Sequence, residues 1–124
     1  MRGSVTDFER LEAYREARVV AVRVFEVTKA FPPEECYALV NQFRRSVRSI
    51  GAQIAEAWGK RRYPRHFVSK LSDADAEQLE ARHWLVVAVD CGYIRSREAR
   101  ELRRRLDRIG RMLNVMMQKA EQFR

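Results

Sequence analysis

Residues 31–62, FPPEECYALVNQFRRSVRSIGAQIAEAWGKRR, decide the fold of this chain. Two prolines open the stretch, and apolar side chains then recur at alternating steps of four and three: Cys36, Val40, Phe43, Val47, Ile50, Ile54 and Ala57. That spacing is the a/d seam of a helix packed lengthwise against other helices. Pro33 suits the first turn, where its missing N–H costs nothing, and Glu34 and Glu35 complement the positive end of the helix dipole. One apolar seam is enough to fold a helix. The cluster Arg44, Arg45 and Arg48, with Ser46, Ser49 and Gln53 nearby, therefore calls for a second explanation.

The flanking sequence repeats the pattern. Upstream, Ala13, Ala17, Val20, Val24, Val27 and Phe31 form a seam that ends at Pro32, because proline disfavours helical geometry in the residue before it. Downstream, the basic turn Gly59-Lys60-Arg61-Arg62-Tyr63 leads to Pro64, which opens a third helix on Phe67, Leu71, Ala74, Gln78, Ala81, Leu85 and Ala88, its apolar face widened by Val86, Val87 and Val89. Gly92 is a left-handed stop, Ser96 reads as the next cap, and Leu102, Leu106, Ile109, Leu113, Met116, Ala120 and Phe123 carry the fourth helix. The expectation is an all-α, up-down-up-down antiparallel four-helix bundle in one domain, residues 1–124, with helices over about 11–31, 33–58, 64–91 and 96–123. Short loops favour closure within one chain over a helical hairpin completed by a second copy.

Composition narrows the function. With 124 residues the chain can bury a core unaided, and three prolines and five glycines leave little room for a turn-rich β fold. No apolar run approaches the ~20 residues that cross a bilayer, and MRGSVTDFERLEAY lacks the apolar segment of a secretory leader. Cys36 and Cys91 have no metal or redox spacing and read as buried, reduced thiols, which places the protein in the cytoplasm. The net charge of +8 is uneven: residues 43–66 hold seven basic and one acidic side chain, residues 95–124 ten and four, and residues 67–94 two and five, while residues 1–42 come out slightly acidic. Such an imbalance favours polyanion partners.

Catalytic readings have little to stand on. Glu80 and His83 form the Glu-x-x-His half of a di-iron site, but the one other histidine, His66, has Tyr63 three residues before it, so the second half is missing. There is no glycine-rich phosphate loop, and Ser46, Ser49 and Ser69 lack a nearby His/Asp pattern. No enzyme activity, metal or cofactor is expected. The basic groups are the better signal. Arg44 and Arg48 lie one turn apart with Arg45 beside them; Lys60, Arg61, Arg62 and Arg65 decorate the next turn among Trp58 and Tyr63. Arg97, Arg100, Arg104, Arg108 and Arg111 share a face of the fourth helix, broadened by Arg103 and Arg105. Arginine's planar fork matches phosphate, and these side chains are the candidate nucleic-acid contacts. The competing readings are solvated helix flanks and intersubunit ion pairs with Asp73, Glu77 or Glu80. Helix four's arginines should lie near the start of helix two and residues 60–65 at the opposite end, so one continuous groove does not follow. Arg45 and Glu56 are also compatible with a buried or interfacial Arg–Glu arrangement that fixes bundle register or subunit geometry.

The motif FPxxExYxL followed by QxRR, SI, IAE and a basic turn resembles the signature of bacterial four-helix-bundle proteins encoded by intervening sequences within 23S ribosomal RNA genes. Its positions here are Phe31, Pro32, Glu35, Tyr37, Leu39, Gln42, Arg44, Arg45, Ser49, Ile50, Ile54, Ala55 and Glu56, continued by Arg61, Arg62, Phe67, Leu71, Leu79, Glu80, Gly92 and Tyr93. Ser46, Gln53 and Ala57 depart from it, where the family favours Ala, Asn and Gly. The resemblance implies a homo-oligomer, commonly a pentamer. The family is also similar to accessory proteins of diversity-generating retroelements, which implies a reverse transcriptase as a possible protein partner. A protein-binding adaptor and a purely structural oligomer thus stand beside the nucleic-acid reading.

Overall fold

The computed structural model describes residues 7–124; residues 1–6, the beginning of the stretch read above for a leader, lie outside the described residues. Four helices carry the chain: α1 (Glu12–Thr28), α2 (Asn41–Gly59), α3 (Pro64–Asp90) and α4 (Ser96–Gln118). Each packs on the next and α4 closes against α1, which is the antiparallel bundle that the four seams predict. There is no strand among the described residues.

The seams bury as their spacing dictates. Phe43, Val47, Ile50, Ile54 and Ala57 of α2 are 0–1% exposed and meet Val20 and Val24 of α1, Phe67 and Leu71 of α3, and Leu106, Ile109 and Leu113 of α4 in one continuous core. Truncating one of the buried phenylalanines to alanine would cost about 3–5 kcal/mol, since lost transfer energy and an unfilled cavity add.

The ends differ from the sequence expectation in ways that matter. α1 stops at Thr28, whose hydroxyl donates to the Val24 carbonyl at 2.6 Å; Thr28 is buried and Val27 only partly so. The segment expected to begin α2 at Pro33 opens instead with a 3-10 turn (Pro33–Glu35) and a π-helical turn (Cys36–Val40) before α2 proper. A π turn closes i→i+5 and so takes in one residue more than an α turn. The seam slips by that residue: Leu39 joins Val40 in the core, and Cys36, expected inside, is exposed. Cys91 is exposed as well, because it lies past the end of α3 in the cap rather than within the helix.

That cap is the left-handed stop expected of Gly92. Its φ is +75°, its N–H donates to the Val89 carbonyl at 3.0 Å, and Tyr93 N–H donates to Ala88 at 3.0 Å, the paired bonds of a Schellman motif. Ser96 does not cap α4. Arg95 holds the extended cap position, without a capping side chain, and Ser96 is already the first helical residue.

Candidate nucleic-acid interface

The fold sorts charge by helix face, which counts along the chain had blurred. On the side of α1 facing α4, Glu16 is 8% exposed and accepts from Arg105 at 2.7 Å and lies 3.6 Å from Arg108, which also reaches Glu12 at 3.3 Å. The hydrogen bond to Glu16 raises the Arg105 pKa against the opposing effect of its partial burial. Glu101 completes this network, accepting from Arg105 at 2.9 Å and from Arg104. Partial burial pushes the Glu101 carboxyl up, but the bond from Arg105 and the charges of Arg104, Arg105 and Arg23 leave it below its ordinary value. Arg103 pairs with Asp107 at 3.2 Å, and Arg82 approaches the same carboxylate at 3.5 Å. The arginine stripe of α4 is therefore partly neutralised within the chain. Of its five members, Arg97, Arg100 and Arg111 have no acidic partner among the described residues, while Arg104 and Arg108 do.

The outer face shared by α1 and α2 is different. Arg15 and Arg18 of α1, and Arg45 and Arg48 of α2, are exposed and have no acidic partner among the described residues. They form one surface. Arg15 and Arg18 border a depression with Val19 and Val22, Arg18 and Arg48 border the α1–α2 groove floored by Gly51 and Ala52, and Arg45 and Arg48 border a depression of about 610 Å³ with Tyr37, Asn41 and Ser49. Arg44 is the anchor behind it. Its guanidinium donates to the Thr28 hydroxyl at 2.8 Å and to the Phe25 carbonyl at 3.3 Å, and lies 4.6 Å above the Phe25 ring, with Arg48 at 5.9 Å from the same ring. Arg44 is thus held as a brace between helices, with its charge retained at the edge of the patch.

Glu56, at the far end of the α2 stripe, binds Lys70 at 2.7 Å. That hydrogen bond, outweighing desolvation, holds the Lys70 pKa above its usual value. The basic turn that follows α2, just beyond Glu56, is a separate cluster from Arg45 and Arg48. Lys60, Arg62 and Arg65 are exposed, whereas Arg61 donates to the Trp58 carbonyl at 3.0 Å and stacks 4.1 Å over the indole, so Trp58 is already occupied. The bundle's opposite ends are fixed by Phe67 on Phe123 and by Tyr93 on Phe31 and Glu35, which keeps this cluster a helix length away from Arg97 and Arg100.

Elsewhere, Glu80 accepts from the Trp84 indole at 3.0 Å, and His83 packs edge-on against Trp84. No group of three or more His, Cys, Asp and Glu side chains among the described residues could hold a metal ion, and no helix of the described residues is long and apolar enough to cross a membrane. Sequence reasoning found Arg44, Arg45 and Arg48 but missed Arg15, Arg18 and Tyr37. The α1 arginines were hidden in a segment with more acids than bases.

The model of the 23S rRNA-intervening sequence protein family matches residues 9–115 of the chain. A crystal structure from Bacteroides thetaiotaomicron, described as a protein with unknown function from the S23 ribosomal protein family, is similar, with 25% identity and a TM-score of 0.76 over 86% of this chain and 95% of that one. Comparison with curated proteins gave no match.

Proposed function

The chain belongs to the 23S rRNA-intervening sequence protein family, and from that premise we propose that it is a non-enzymatic, nucleic-acid-binding bundle that grips the sugar–phosphate backbone with its α1–α2 face. The observation that carries this reading is the sorting of charge. Arg103, Arg104, Arg105 and Arg108 of α4 are matched by Glu12, Glu16, Glu101 and Asp107, whereas Arg15, Arg18, Arg45 and Arg48, none with an acidic partner among the described residues, are exposed together on one surface. Concentrated, unmatched cation on one face disfavours folding through self-repulsion, and is best explained by an anion that covers it. Four backbone contacts would give a log–log salt slope of about −3 to −4 on duplex DNA. The test is anisotropy of a labelled structured RNA and a matched DNA duplex over a salt series. Replacing Arg15, Arg18, Arg45 and Arg48 together by Ala should weaken binding and flatten the slope toward zero, while Arg104→Ala with Arg108→Ala should leave the slope nearly unchanged. Equal effects of the two sets would overturn the assignment.

A second reading, self-association, is favoured by a different face. Leu79, Val86 and Val89 are 47–51% exposed on α3, beside an apolar depression of about 590 Å³ between α3 and α4. Its rim is basic through Arg82, Arg100 and Arg103, and the earlier part of α3 carries Asp73, Glu77 and Glu80, so two copies offer complementary charge around apolar stripes. A homo-oligomer built on this stripe should fall to a smaller species in light scattering when Val86 and Val89 are both changed to Glu. An unchanged mass would remove α3 from the contact. A reverse transcriptase or other protein partner would use the same surface in the adaptor reading.

A further inference from the structure

Tyr37 is 92% exposed, more than any other large hydrophobic side chain among the described residues. Phe8, Tyr14, Trp58, Trp84, Tyr93 and Phe123 pack against the core, and Tyr63 at least meets the His66 ring. Tyr37 has neither a ring partner nor a hydrogen bond among the described residues. Its place is fixed all the same. It rides on the π-helical turn, whose first turn is tied by Glu35: one carboxylate oxygen accepts the Leu39 N–H at 3.4 Å, and the other accepts the Tyr93 hydroxyl at 2.8 Å. A planar ring on such a rigid mount loses little freedom on binding.

The surroundings say what the ring would meet. Tyr37 on the π turn and Asn41 and Arg45 in the first turns of α2 follow each other at four-residue steps and border one depression. Arg48 and Ser49 border the same depression. An aromatic face beside arginine forks and short polar side chains is the chemistry that holds single-stranded nucleic acid, with bases on the ring and phosphates on the arginines. A duplex hides its base faces except at its ends, so it can use the arginines but not the ring.

We propose that Tyr37 is a base-stacking platform and that the depression it shares with Asn41, Arg45, Arg48 and Ser49 binds an unpaired nucleotide segment. The inference rests on the backbone-binding reading of the α1–α2 face and narrows its target to single strands or unpaired loops. RNA and DNA strands should both qualify, since stacking does not use the 2′-hydroxyl.

The experiment compares a fluorescein-labelled 12-nucleotide RNA of unstructured mixed sequence, the corresponding DNA strand, and the 12-base-pair DNA duplex. Tyr37→Ala should weaken binding of both single strands by about 5- to 150-fold and change duplex binding by less than about twofold. Tyr37→Trp should restore single-strand affinity. The melting temperature of Tyr37→Ala should match that of the wild type, because the ring is in solvent. Unchanged single-strand affinity in Tyr37→Ala removes the platform and leaves the backbone reading intact. An equal loss on duplex and single strand, or failure of Trp to rescue, shows that Tyr37 acts through shape rather than stacking and overturns the proposal. If the wild-type protein binds none of the three probes, the backbone reading fails and this inference with it.

Discussion

Glu16 shows how a single residue divides the chain's arginines into two kinds. It sits next to the seam position Ala17 and is buried to 8% exposure, so its carboxylate needs a cation brought from elsewhere. Arg105 supplies it across 89 residues of sequence, at 2.7 Å, and Arg108 adds a second, longer contact at 3.6 Å. Arg105→Ala should therefore cost about 1.5–3 kcal/mol, the range for a charge-assisted hydrogen bond, read as a lower urea midpoint at unchanged slope. Arg100→Ala, whose guanidinium has no acidic partner, should stay within about 0.5 kcal/mol of the wild type. If the two variants melt alike, the pairing with Glu16 contributes nothing. Neither role could be assigned from sequence. Arg100 and Arg105 both looked like members of a basic helix face, and what separates them is an acid on another helix.

Among the elements, the start of α2 joins several local devices into one clasp. Glu35 bonds the Leu39 N–H and the Tyr93 hydroxyl at once, and Tyr93 leans on Phe31 with ring centroids 5.3 Å apart, so the α1–α2 connection is fastened to the α3–α4 connection. The hydrogen bond to Glu35, with lesser help from burial and the Glu35 charge, raises the Tyr93 pKa from 10.0 to about 12. A raised folded-state value means that folding favours the protonated phenol. The clasp's contribution is thus complete below pH 10.0, the unperturbed value, and is lost as pH climbs through about 12. Tyr93→Phe lacks the bond at every pH. The melting-temperature gap between wild type and Tyr93→Phe should be constant from pH 7 to 9 and close as the pH rises above 10, and a gap that persists at pH 12 would refute the linkage. Helix identity, order and most of the core were legible beforehand, because a seam is a local period that each helix states for itself. The π turn was not. One added residue leaves the apolar composition of the segment unchanged while moving Cys36 out and Leu39 in.

At the scale of the whole molecule, a net charge of +8 is carried by a bundle in which the acids that face α4 and Lys70 are already paired. Glu12, Glu16, Glu101 and Asp107 serve α4, and Glu56 serves Lys70, while Arg15, Arg18, Arg45 and Arg48, with no acidic partner among the described residues, repel one another across the α1–α2 face. This arrangement separates stability from binding and gives each set of arginines an opposite signature. Neutralising any one of the four, as in Arg48→Gln, removes repulsion and should leave the fold unchanged or more stable by up to about 0.5 kcal/mol, while weakening nucleic-acid binding. Arg105→Ala should do the reverse, destabilising the fold while leaving affinity near the wild-type value under conditions where the variant remains folded. Added salt should raise the wild-type melting temperature by screening the repulsion, with a smaller gain once the four are replaced. Paired measurement of melting temperature and affinity across the single variants decides the matter. A face built to receive an anion predicts that the two quantities move in opposite directions for Arg15, Arg18, Arg45 and Arg48. Arginines that merely decorate a bundle predict no trend, and arginines that support the fold predict that stability and affinity fall together.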